Sequence, residues 1–78
     1  MQRYDLRKHK EEKLYNRMLE IMEKDIKPNE VCIFLFEIGD FSPIQKSFDI
    51  MTEAGHEVRN SLKFNEVDWT LVVKRKAS

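Results

Sequence analysis

The sequence predicts an α/β fold in which strands and helices alternate before two strands close the chain, in the order β-α-β-α-β-β. Three observations carry this. Val31-Cys32-Ile33-Phe34-Leu35-Phe36 is apolar at every position, as a central strand buried on both faces should be. Leu14, Met18, Ile21 and Met22, joined by Tyr15, Leu19 and Ile26, form an apolar stripe at helical spacing before it. Ser42-Pro43-Ile44-Gln45 follows it and reads as a helix start. Helices that connect strands of one sheet are expected to pack together on one of its faces.

Each element has its own reason. Arg3 to Arg7 alternates, with Tyr4 and Leu6 on one side, which is the period of a half-buried strand. The helical stripe begins near Lys10. Glu11 and Glu12 at its start and Lys24 and Lys27 at its end complement the helix dipole, and Pro28 stops it. The apolar strand is bounded by Pro28-Asn29 and Gly39-Asp40. In the second helix Ser42 is the expected cap, Gln45 completes a capping box, and Ile44, Phe48, Met51 and Ile50 face inward. Gly55 can take the left-handed conformation that ends it. His56 to Phe64 and Trp69 to Lys76 are the last strands, around the polar connector Asn65-Glu66-Val67-Asp68.

Seventy-eight residues make a single domain, 1–78, with a small core. Two glycines and two prolines argue against disorder or low complexity. No apolar run approaches the roughly 20 residues of a membrane span, and the amino terminus lacks a signal-peptide apolar region. One cysteine cannot form an internal disulfide, which suits a reducing cytoplasm. Net charge is zero, so whole-molecule attraction to nucleic acid or membrane is not expected. Basic residues nevertheless crowd both ends: Arg3, Arg7, Lys8, Lys10 and Lys13, then Lys74, Arg75 and Lys76.

Four segments together resemble a known family. The first strand ends in Leu6-Arg7, Pro28-Asn29-Glu30 precedes the second, Gly55-His56-Glu57-Val58 opens the last third, and Trp69 to Lys74 forms an apolar terminal strand. In order and spacing they resemble the TusA/SirA-like small sulfur carriers and a related family of unknown function. The resemblance implies a two-layer sandwich with a mixed four-stranded sheet, its first strand at an edge and its last strand internal. Those carriers present Cys-Pro-x-Pro after the first strand. Aligned without gaps from Asp5, the cysteine position falls on Glu11 and the prolines on Glu12 and Leu14. The frame is kept and the nucleophile is missing.

The remaining chemistry is sparse. Cys32 is the one thiol and lies in an apolar strand, where cysteine behaves as a small hydrophobe. His9 and His56 are not at metal-ligand spacing with it. No serine stands with a base and an orienting group, and no glycine-rich phosphate loop exists. No cofactor and no catalytic residue is expected. The reading is a non-catalytic TusA-like adapter, docking a protein such as a sulfur-transfer or redox enzyme, with no persulfide-carrier activity. Its candidate contact residues are Arg7, Lys8, His9, Lys10 and Glu11 around the first helix start, and Phe34 and Phe36. In the central strand Val31, Ile33 and Leu35 point one way and Cys32, Phe34 and Phe36 the other. With the aliphatic set under the helices, Phe34 and Phe36 would form an apolar patch near Val72 for a partner or a second copy. The alternative is an RNA- or DNA-binding module using the basic ends, by analogy with small β-α-β-α-β-β domains such as the carboxy-terminal domain of a bacterial translation initiation factor.

Overall fold

The computed structural model describes residues 1–39 and 41–77; Asp40, expected with Gly39 to bound the central strand, and Ser78 lie outside the described residues. The elements are β1 (Gln2–Asp5), α1 (Glu11–Lys24), β2 (Val31–Glu37), α2 (Ser42–Glu53), β3 (Glu57–Lys63) and β4 (Asp68–Lys74), in the expected order. The sheet runs β1-β2-β4-β3. β1 is parallel to β2, and β4 is antiparallel to both β2 and β3. The sheet is thus mixed, with β1 at an edge and β4 internal.

Local chemistry accounts for the boundaries. Pro28-Asn29 forms the turn into β2: Glu30 N–H donates to the Lys27 carbonyl at 3.0 Å, and Asn29 takes φ 70°. Pro then a residue of positive φ is the type II pattern, and Asn tolerates that region. Helix α2 ends in a Schellman motif. Gly55 has φ 94°, its N–H reaches the Thr52 carbonyl at 3.0 Å, and the His56 N–H reaches the Met51 carbonyl at 3.0 Å. Its start differs from expectation. Phe41 occupies the cap position with no side-chain cap, and Ser42 is already helical. Gln45 bonds Asp49 at 2.9 Å instead of closing a capping box. Pro43, which has no N–H to satisfy in the first turn, sits as expected.

The core lies between the helices and one sheet face. From α1 it takes Leu14, Tyr15, Met18, Ile21 and Met22, the predicted stripe, with Ile26 just beyond. From the sheet it takes Cys32, Phe34, Phe36, Leu71 and Val73. The assignment of β2's faces is therefore corrected. Phe34 and Phe36 are fully buried beneath the helices and offer no contact patch, whereas Val31 and Ile33 are half-buried on the other face. Register decides this. Phe34 is paired with Tyr4 and Leu71, and Phe36 with Trp69, so this set shares the side of β1 and β4 that carries their larger apolar residues. Tyr4 packs on Phe34 with ring centroids 6.1 Å apart. The opposite face pairs Leu35 with Thr70 and Val31 with Lys74. Leu35 is nonetheless buried there, and Leu6, Met18, Met51 and Leu71 are buried as expected.

Helix α2 is rotated from its predicted facing. Ser47 and Met51 are its buried residues, Ile44 and Ile50 are half-buried, and Phe48 is 38% exposed. Ser47 can sit in the core because its hydroxyl donates to the Ile44 carbonyl at 3.1 Å.

Candidate functional site

Strands β1 and β2 run the same way, and each is followed by a helix. Both helices consequently begin at the same end of the sheet, the end to which the carboxyl ends of β1 and β2 point. Ligand sites of open α/β sheets form at this end. A groove of about 380 Å³ opens here between the two helix starts. Leu14, Tyr15 and Pro43 supply its apolar lining, and His9, Lys10, Glu11 and Glu37 its polar lining. The fold thus brings together three of the residues singled out in the sequence.

The electrostatics of this end are nearly self-compensated. Lys10 Nζ meets Glu37 Oε1 at 2.5 Å. Arg7 is tied to Asp5 at 2.7 Å and to Asp68 at 3.4 Å. Hydrogen bonds from Arg7 hold the Asp5 carboxyl down at about 2, and the same contacts raise the Arg7 guanidinium. Lys8 is exposed. The His9 N–H donates to the Leu6 carbonyl at 3.0 Å, while its Nδ1 is buried without a partner. Glu11, at the position where the carrier nucleophile would stand, has φ 52°, a region uncommon for residues other than glycine.

Three exposed apolar side chains lie at the same end. Phe41 opens α2 and is 76% exposed; Phe64 and Val67, in the β3–β4 turn, are 57% and 54% exposed. The Ile38 N–H bonds the Val67 carbonyl at 2.8 Å, which seats that turn against the exit of β2. Sequence reasoning missed this group, because its members belong to segments far apart in the chain. Glu37 was also missed, although parallel strands each followed by a helix are a topological signal that the residues after β2 share the groove.

The basic termini do not merge into one surface. Arg7 to Lys10 follow β1 at the groove end. Lys74 pairs with Val31 at the opposite end of β2, and Arg75 exchanges backbone hydrogen bonds with Asn29 and Glu30 there, at 3.1 and 2.8 Å.

The thiol is sequestered. Cys32 is fully buried, its sulfur 3.4 Å from Met22 Sδ, and burial pushes its pKa up to about 12. Native protein at pH 8 is therefore expected to resist iodoacetamide and to be alkylated only in denaturant, as read by intact mass. Rapid labelling of the folded chain would show an accessible thiol. Among the described residues, no group of three or more His, Cys, Asp or Glu could hold a metal ion, and no helix is long and apolar enough to cross a membrane.

These features define a small two-layer α/β domain with a groove and exposed apolar residues at one end. Residues 1–75 match the model of a family described as the putative E subunit of NADH-ubiquinone oxidoreductase, and the protein belongs to that family. It is similar to HP1264 from Helicobacter pylori, known from a solution structure, at 52% identity, covering 99% of this chain and 100% of that one, with a TM-score of 0.69. A search of curated proteins found no match. The comparisons leave the TusA/SirA-like resemblance without support.

Proposed function

We propose that this chain is a non-catalytic protein-binding subunit that docks an NADH–ubiquinone oxidoreductase-type partner through the groove end. The observation that carries this reading is the exposure of Phe41, Phe64 and Val67 on the end that also holds the groove. Large apolar side chains left in water beside a concavity mark a contact surface, and aromatic residues supply most of the energy of such contacts. The family description supplies the class of partner, and it is a redox one. The composition argues against an electron-carrying centre within the chain. Iron–sulfur clusters of the Cys₄ type take four thiolates, and the sequence has one cysteine. A dinucleotide-binding turn needs clustered glycines, and Gly39 and Gly55 stand far apart. With its thiol buried and protonated, the chain has no group to hold sulfane sulfur either, so incubation with a persulfide donor should add no mass to Cys32.

Affinity-tagged chain expressed in its native cells tests the reading. Wild type is expected to co-migrate on native gels with an NADH-oxidising assembly, and Phe41→Ser/Phe64→Ser to run free while keeping its fold. Both substitutions replace exposed side chains, so stability should change little. Free migration of the wild type, or unchanged association of the double variant, would sink the proposal. Salt-sensitive retention of the wild type on nucleic acid instead would favour the basic-end alternative.

A further inference from the structure

The end of the sheet away from the groove contains a device built around His56. This histidine follows the Schellman turn of α2 and is 6% exposed. Its Nδ1 accepts a hydrogen bond from the backbone N–H of Lys76, two residues beyond the end of β4, at 3.2 Å. The Lys76 side chain lies across Gly55: a Cβ placed on that glycine would stand 3.2 Å from Lys76 Cδ. The residues after β4 are thus folded back over the turn that ends α2, beside a hollow of about 190 Å³ bordered by Asn29, Gly55 and Glu57.

We propose that His56 and Lys76 form a proton-operated latch, closed while the imidazole is neutral and released when it is protonated. The chemistry follows from the bond. An imidazole nitrogen that accepts must lack a proton, so the closed form requires the tautomer with hydrogen on Nε2. Protonation converts Nδ1 into a donor that faces another donor, the Lys76 N–H. The charges around the ring reinforce release. Burial opposes a positive ring most, Lys76 and Arg75 from the carboxy-terminal segment oppose it next, and Glu23 from α1 alone favours it, so the pKa of His56 is lowered.

The sign follows directly. The folded state prefers neutral His56, so the unfolded chain takes up the proton first as pH falls. The latch is complete above the ordinary histidine pKa of about 6.5 and is lost as pH falls through the lowered folded value. Arg75 remains anchored, because its backbone is paired with Asn29 and Glu30 and its guanidinium donates to the Ile26 carbonyl. Release therefore begins at Lys76, and it uncovers Gly55 without separating β4 from the sheet.

Amide hydrogen exchange and ¹⁵N chemical shifts across pH 4.5–8 provide the test. The His56 ring resonance and the Lys76 amide are expected to titrate with one midpoint below about 6.5. Lys76 protection, corrected for intrinsic exchange, should fall about tenfold per pH unit below that midpoint. The Leu71 and Val73 amides should hold their protection throughout. His56→Gln supplies an acceptor that does not titrate, and should flatten the response of Lys76. Three results would each overturn the latch: a Lys76 amide indifferent to pH while His56 titrates, a Lys76 response unchanged in His56→Gln, and loss of Lys76 protection only together with Leu71 and Val73, which would be global unfolding.

Discussion

Phe34→Ala is expected to cost about 3–5 kcal/mol, and to leave the chain largely unfolded at 37 °C. Phe34 has no exposed surface, lies at the centre of the sheet between Tyr4 and Leu71, and faces the α1 stripe. Removing its ring leaves a cavity that rigid neighbours on two strands and a helix fill poorly. A chain of this length has a total stability of roughly 4–12 kcal/mol, so the loss is of the same order as the whole. Thermal unfolding followed by circular dichroism measures it. Phe48→Ala is the internal control: its side chain is already 38% in water, so about 1 kcal/mol or less is expected. A larger loss for Phe48 than for Phe34 would mean that β2 presents its other face to the helices.

Asp68→Ala is expected to cost about 1–3 kcal/mol and to loosen the β3–β4 turn. Asp68 is 4% exposed, and its carboxylate accepts from Asn65 Nδ2 at 2.9 Å. The Asn65 side-chain oxygen in turn accepts from the backbone N–H groups of Val67 and Asp68 at 2.9 and 2.8 Å. The Phe64 and Asn65 N–H groups close the turn onto the Asp68 carbonyl at 3.0 and 3.3 Å. Alanine leaves the Asn65 amide without its partner in a part-buried site. Because this network seats Phe64 and Val67, the variant should also lose partner binding at the groove end. Asp68→Asn, which keeps one acceptor oxygen, should lose less of both. Denaturant titration paired with the native-gel assay separates the two effects. Wild-type stability in Asp68→Ala would mean the turn is held by its backbone alone.

Periodicity and punctuation made the element order legible. The α1 stripe, the continuous apolar run of β2, and Gly55 at the end of α2 each have one local solution, and the structure contains all three. The start of α2 was less legible. Ser42 and Gln45 spell a capping box, yet the chain enters the helix one residue earlier, at Phe41. Facing was the hardest to read. β2 is apolar on both sides, so alternation along it cannot say which side meets the helices. The signal lay in its neighbours: Tyr4 and Leu6 in and after β1, and the alternation of Leu71 and Val73 with Thr70 and Lys74 in β4. In α2 an apolar Phe48 and a polar Ser47 compete for one facing. Serine can win because its hydroxyl bonds within the helix, so its burial leaves no polar group unsatisfied.

The candidate site divides the same way. His9, Lys10 and Glu11 were legible because they precede or open a helix, and helix starts after parallel strands are displayed at one sheet end. Glu37, Phe41, Phe64 and Val67 were not, since only strand register brings the β3–β4 turn to the exit of β2. By itself the sequence determined the order of elements, the absence of a carrier cysteine at position 11 and the single thiol, because these are properties of local pattern and inventory. The tertiary structure alone decided which aromatic residues were buried, where the basic ends lay relative to each other, and that His56 meets Lys76. Those depend on pairing between segments, which side-chain period within a segment does not specify.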